Sequence, residues 1–292
     1  MSEKFLDCSD LDNHMGVPIQ PARMREPFSS TDIRRWAQAM HFPNRLHYDP
    51  DYAAESRFGR MVAPQSFPVA MDDAHGTGPS CVGYIPNSHL IFGGDEWWFE
   101  GPRVFSGDML HNHRVALDYA VKDTKFAGPT CFQRGDNYYY NQDGDLIAKQ
   151  RSTAIRYRPD LARESGGSPG DTEDPVWGDE ELAKLEDQKY EWIKMLHDLG
   201  HSKRYWDDVN VGDVIPTRII GPHSIASFTT EWRAYLFTLW CGVKRRTDLD
   251  MEALGFTGDM AGKEQDPVLE LDNPELTDGA YIVPSRGHLF PP

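Results

Sequence analysis

One short stretch of the 292-residue chain concentrates groups that can move protons: residues 40–67, MHFPNRLHYDPDYAAESRFGRMVAPQSF. Asn44, His47 and Asp49 form its polar cluster, and an apolar run leads from it to Pro64. A histidine and a carboxylate on one loop can hold a water between them and pass its proton. The plainer reading of His47 taken alone is a loop histidine bonded to backbone. Two other places carry chemistry-bearing types. His111 and His113, in HNH, would share one face of a strand, as metal sites allow, but no third ligand accompanies them. In GGDEWWFEGP (93–102), Trp97 and Phe99 would share one face and Glu96 and Trp98 the other. Either pair could wall a ligand cavity, pack in the core or form a dimer face.

Several chemistries find no support. Neither GxGxxG nor GxxxxGK[ST] occurs, and there is no GxSxG elbow. Cys8, Cys81, Cys131 and Cys241 match no CxxC or zinc spacing, so no metal is expected. The formal net charge of −16 argues against nucleic acid as a partner. Much of that acidity falls in 159–189 and 247–278, which read as solvated linkers. MSEKFLDCSD has no apolar signal core, and no apolar run is long enough to span a membrane. The expectation is a cytoplasmic protein with reduced thiols and no membrane partner.

The elements that must position these groups follow from periodicity and breakers. SSTDIRRWAQAMH (29–41) predicts a helix capped by Ser29 or Ser30 and stopped by Pro43. Its apolar face is Ile33, Trp36, Ala37 and Met40. PQSFPVAMDDAHG (64–76) predicts a second, short helix ending at Gly76. After residue 88 come the strands HLIFGG, DEWWFEGP, GDMLHNHRVALDYAVKD, GPTCFQRGDNYYYNQ and DLIAKQRSTAIRYRP, the last two joined at Asp143-Gly144. The order predicts helices covering one face of an antiparallel meander. Residues 159–178 read as a Pro/Gly/acidic linker, and about 179–199 as a helix. That helix has a packing stripe of Leu182, Leu185, Trp192, Ile193 and Leu196 and ends at Gly200. Residues 205–242 lead into SFTTEWRAYLFTLW, which echoes FSSTDIRRWAQAM; beyond it only AYIVP reads as a strand. Three units are therefore expected: 1–158, a linker with helix at 159–204, and a partial second repeat at 205–292.

Residues 26–158 resemble the MaoC-like hydratase/dehydratase family. The likeness rests on the capped helix running into PNRLHYDPDYAAESRFG, on MVAPQSF, and on the closing meander. It is similar above all to the N-terminal domain of two-domain members and to the non-catalytic subunit of heterodimeric (R)-3-hydroxyacyl dehydratases. The resemblance implies an α+β hot-dog fold, an antiparallel sheet wrapped on a central helix, here as a double hot-dog with an incomplete second repeat. It implies hydration of 2-enoyl-CoA or dehydration of 3-hydroxyacyl-CoA, with the CoA thioester as substrate and no cofactor. An acidic chain does not exclude that ligand if the pocket mouth is locally basic. The family's active segment has the form Asp-x-Asn-Pro-Leu/Ile-His. Asn44, Leu46 and His47 match it, and Asp49 and Ala53 match a downstream pattern. Phe42 stands where the acid belongs, and Pro64, which has no N–H, falls near the oxyanion glycine.

The resemblance thus implies a domain that shapes an acyl channel, with Phe42, Gln65, Ser66, Trp97 and Trp98 as substrate-binding residues. The Asp/His pair would come from another hot-dog subunit in a homo- or hetero-oligomer. A variant site using His47 with Asn44 and Asp49 stays open. So does His288 in SRGHLFPP, although Val283 occupies the position five residues before it. The alternatives are a non-catalytic acyl-thioester scaffold and a hot-dog thioesterase, for which no well-placed carboxylate stands out.

Overall fold

Three long antiparallel strands and an edge strand of ten residues form the body of a single sheet. The computed structural model describes residues 5–21, 24, 26–40, 42, 44–71, 76–165, 176–202, 205–214 and 217–221. In chain order the elements are β1 (Pro18–Ile19), α1 (Ser30–Ala39), α2 (Pro50–Glu55) and β2 (His89–Trp98). There follow β3 (His111–Thr124), β4 (Gly128–Tyr140), β5 (Leu146–Tyr157), α3 (Pro159–Glu164) and α4 (Asp179–Gly200). They form one sheet in the order β1-β3-β4-β5-β2, antiparallel throughout.

Alternation gives the sheet two faces. Cys131, Gln133, Gly135, Asn137 and Tyr139 of β4 point inward, beside Ala148, Gln150, Ser152, Ala154 and Arg156 of β5, and all are buried. One half of this face is apolar. There Ile33 and Trp36 of α1 pack with Phe67, Leu110, Tyr139 and Ile147. Phe67 is the pivot, 4.4 Å from the Phe28 ring and edge-on to Trp36 at 6.0 Å.

The other half is polar, and the reason lies in what covers it. Residues 76–85 cross it without regular helix or strand beyond a single 3-10 turn at Gly78–Ser80, so their buried carbonyls need donors. The sheet supplies them. Asn137 donates to Gly76 O (2.6 Å), Gln133 to Val82 O (2.7 Å) and Arg156 to Gly83 O (2.8 Å). Gly135 lets this segment lie flat on the sheet, since a Cβ there would sit 2.3 Å from Pro79 backbone.

The capped first helix forms as its sequence dictates. The Ser29 hydroxyl accepts from Asp32 N–H at 3.2 Å and the Asp32 carboxylate accepts from Ser29 N–H at 2.8 Å. Three expectations change. The helix at 64–76 is, in its described part, a 3-10 turn at Phe67–Met71; Pro68 has no N–H with which to close an α-helical bond to Pro64. HLIFGG and DEWWFEGP are one strand, β2, interrupted by a bulge between Phe92 and Gly94 rather than by a turn. The segment read as linker from residue 159 begins with α3, whose Ala162 packs on Tyr157 and Ala127, so the first unit runs past residue 158. At the chain's start, Leu6, Cys8 and Leu11 form a second core with Ile85 and Cys131, and β1 pairs with β3.

Helix α4 covers the predicted range, but its stripe is not a packed one: Leu182 is 37% and Ile193 49% exposed. The proposed second repeat beyond residue 221 lies outside the described residues. No helix among the described residues is long and apolar enough to cross a membrane.

Candidate functional site

The loop from Phe42 to Pro64 is pinned at both ends. A 3-10 turn, Arg45–His47, starts at Asn44, whose side-chain oxygen accepts from Leu46 N–H at 3.0 Å. α2 then starts at Asp49, whose carboxylate accepts from Tyr52 N–H at 3.0 Å. Pro50 fits the first helical position because its missing N–H would have no partner there. Asn44 and Asp49 are thus cap residues as well as motif residues.

His47 is buried, with 3% of its surface exposed, and its Nδ1 lies 2.6 Å from Val62 O. A carbonyl can only accept, so Nδ1 carries the proton and the neutral ring keeps its lone pair on Nε2. Burial lowers the pKa of this imidazole; the bond to Val62 opposes the effect and the Arg103 charge adds to it. The ring is therefore held as a neutral base. Phe42 lies 5.6 Å from it, centre to centre, and is itself partly exposed.

Asp49 is committed elsewhere. Its second oxygen accepts from Arg45 Nε at 2.9 Å, and the Tyr52 N–H and Arg45 together hold its carboxyl below the usual carboxylate range. Arg45 reaches on to His201 at the end of α4, 3.0 Å from its Nε2. The loop therefore presents a neutral histidine, an aromatic ring and a carboxylate already paired with a guanidinium.

The remaining predicted residues scatter. Ser66 accepts from the Trp36 indole N–H at 3.2 Å, and Gln65 is exposed. Trp97 is stacked between Phe99 (5.5 Å) and Tyr139 (5.8 Å) on the inner side. Trp98 is a correction: it lies on the opposite face, with Lys149 Nζ 5.2 Å and Arg151 Cζ 5.7 Å from its ring, so it cannot share a pocket with Trp97. A cleft of about 260 Å³ along α4, lined by Glu191, Lys194, Met195, Asp198, Leu199 and Ser202, contains none of the predicted substrate-binding residues. His111 and His113 stand exposed against Tyr140, their rings 6.0 Å apart. Among the described residues no three His, Cys, Asp or Glu side chains gather as a metal site would require. His288 lies outside the described residues.

Two clusters escaped the sequence reading. On the inner face Gln150 donates to Asp95 (2.8 Å) and accepts from Tyr139 OH (2.8 Å) and Asn137 (3.2 Å). Burial raises the pKa of Asp95, against opposing hydrogen bonds from Gln150, Ser152 and Trp97. The only sequence signal was a run of polar residues on the inward positions of β4 and β5. The second cluster, Arg57, Arg60 and Arg103 over Phe58 and Phe105, joins residues far apart in the chain.

Known proteins resemble this chain over its first half. The family model described as "FAS1-like, dehydratase domain region" matches residues 13–150. No curated protein matches the chain. Among solved structures, a MaoC-like dehydratase from Rhodospirillum rubrum is 20% identical, with a TM-score of 0.38 over 51% of this chain and 95% of its own. The (R)-hydratase of A. caviae involved in PHA biosynthesis is 20% identical, with a TM-score of 0.35 over 47% of this chain and 95% of its own. The C-terminally truncated HadBC (3R-hydroxyacyl-ACP dehydratase) complex of Mycobacterium tuberculosis is 18% identical, with a TM-score of 0.35, over 46% and 94%. The matched segment includes β1, the His47 loop and most of the meander, and over it the chain is similar to the FAS1-like dehydratase region.

Proposed function

We propose that this chain is the substrate-binding partner in an acyl-thioester hydratase/dehydratase. It acts on 2-enoyl or 3-hydroxyacyl thioesters of coenzyme A without carrying a complete acid–base pair of its own. The observation that supports this most is the isolation of His47 from any free acid among the described residues. Its Nδ1 is bonded to Val62, its neighbour Phe42 cannot ionise, and Asp49 is held by Arg45 and the α2 cap. Water addition to an enoyl thioester needs one group to take the proton of the attacking water and another to control proton delivery to the α-carbon. A neutral His47, its Nε2 without a hydrogen-bond partner among the described residues, provides at most the first. The second group belongs to a partner subunit, another hot-dog chain.

β2 suits such pairing. It is ten residues long and lies at the end of the sheet, with one side unpaired among the described residues.

The test follows loss of enoyl absorbance on crotonyl-CoA with the purified chain, and separately measures crotonyl-CoA binding. The expected result is binding without turnover. Turnover by the chain alone that disappears in His47→Ala would overturn the non-catalytic assignment.

A further inference from the structure

The acidic chain carries a local basic patch beside the His47 loop. Arg45, Arg134, Arg151 and Arg158 are each paired with an aspartate. Arg57, Arg60 and Arg103 are not: among the described residues no carboxylate pairs with them, although the chain holds 46 acidic residues against 30 basic ones. Two aromatic rings hold them instead. Arg57 Cζ lies 4.8 Å and Arg103 Cζ 6.0 Å from the centre of the Phe58 ring. Arg60 Cζ lies 4.0 Å from the centre of Phe105, and the two rings meet at 6.4 Å. Arg57 and Arg60 are exposed on either side of the turn at Gly59, whose φ is 67°. Arg103 is half-buried and spends one N–H on Ala63 O at 2.9 Å.

The position is fixed by backbone. Val62 bridges to Phe105, and Ala63 N–H donates to Val104 O at 2.8 Å. The Val62 carbonyl is also the acceptor for His47. The ring-held guanidiniums therefore stand on this pair of segments, and the imidazole is bonded to one of them. Unpaired cations held near one another repel, and that cost persists only weakly in water, where an anion can relieve it. Planar guanidiniums on rings keep their edge N–H groups directed outward, which suits the oxygens of a phosphate.

We propose that Arg57, Arg60 and Arg103 form a phosphate-binding platform that seats the phosphorylated pantetheine arm of the acyl thioester. The inference rests on the acyl-thioester reading above. The shared chemistry is a phosphate ester on pantetheine, carried either by coenzyme A or by an acyl carrier protein.

The experiment uses the full chain and calorimetric titration with crotonyl-CoA, crotonyl-4′-phosphopantetheine, crotonyl-pantetheine and adenosine 3′,5′-bisphosphate. Wild type is compared with Arg57→Gln/Arg60→Gln, and an unchanged melting temperature verifies folding. The double variant should bind crotonyl-CoA at least tenfold more weakly, about 1.4 kcal/mol, and show a smaller salt dependence. Its binding of crotonyl-pantetheine should not change. Tighter binding of crotonyl-CoA than of crotonyl-4′-phosphopantetheine assigns the platform to coenzyme A; equal binding assigns it to a carrier-protein arm. If wild type binds crotonyl-pantetheine as tightly as both phosphorylated ligands, the platform is overturned and the acyl-thioester reading stands. If only the bisphosphate binds, in an arginine-dependent way, the platform stands and that reading fails. No binding of any ligand overturns both.

Discussion

At the scale of single residues, the site is decided by which polar groups are already occupied. His47 is a protonatable group kept neutral by burial, so its folded-state pKa lies below the ordinary 6.5. The unfolded chain then binds more protons below neutral pH, and the stability this group contributes, full above about pH 6.5, is lost as pH falls through the folded value. His47→Asn keeps a donor for Val62 but cannot titrate. Thermal melts between pH 7.5 and 5 should therefore show a smaller loss of melting temperature in the variant than in the parent. Asp95 behaves with the opposite sign. Its pKa is raised by burial, so folding is penalised once the pH exceeds the ordinary carboxylate value of 3.8. Asp95→Asn should raise the melting temperature at pH 7 and leave it unchanged near pH 3. A lower melting temperature at pH 7 would show that the carboxylate, rather than its neutral form, anchors Gln150.

At the scale of elements, local rules and tertiary demands divide cleanly. Removing the hydroxyl at the α1 cap, Ser29→Ala, should destabilise the protein by about 1 kcal/mol, measured by urea unfolding. Gly135→Ala should cost about 1–3 kcal/mol by forcing the Pro79 segment off the sheet. Local chemistry makes the first helix, the Gly144 turn and the three long strands readable from sequence. The segment 76–85 was not readable, because it is shaped by donors from Gln133, Asn137 and Arg156, more than fifty residues away. The separation of Trp97 from Trp98 was legible in principle, since it needs only the period of a strand. Assigning both to one substrate site conflicted with that period.

At the scale of the whole molecule, charge and core set the stability. Asp136 is buried on the outer face of the sheet, where burial pushes its carboxyl up. Hydrogen bonds from Arg151 (2.7 Å) and Lys149 (2.8 Å) outweigh this and hold it below the ordinary range. The stability it contributes is present above the unfolded carboxylate value and is lost as pH falls through the lower folded one. Asp136→Asn should therefore flatten the acid limb of the stability curve, read from denaturant titrations at pH 7 and pH 3. Phe67→Ala, at the junction of α1 and the sheet, should cost about 3–5 kcal/mol.

The sequence by itself determined the antiparallel meander, the helix that caps its apolar half and the absence of an acid at Phe42. Each is written in periodicity, breakers or side-chain type within one short stretch. It also located His47, Asn44 and Asp49. Only the tertiary structure decided their states, because burial, the Val62 carbonyl and the Arg45 guanidinium are supplied by packing rather than by spacing. The arginine platform belongs to the same class. Arg57 and Arg60 are more than forty residues from Arg103, and only the pairing of Val62 with Phe105 brings the three charges together.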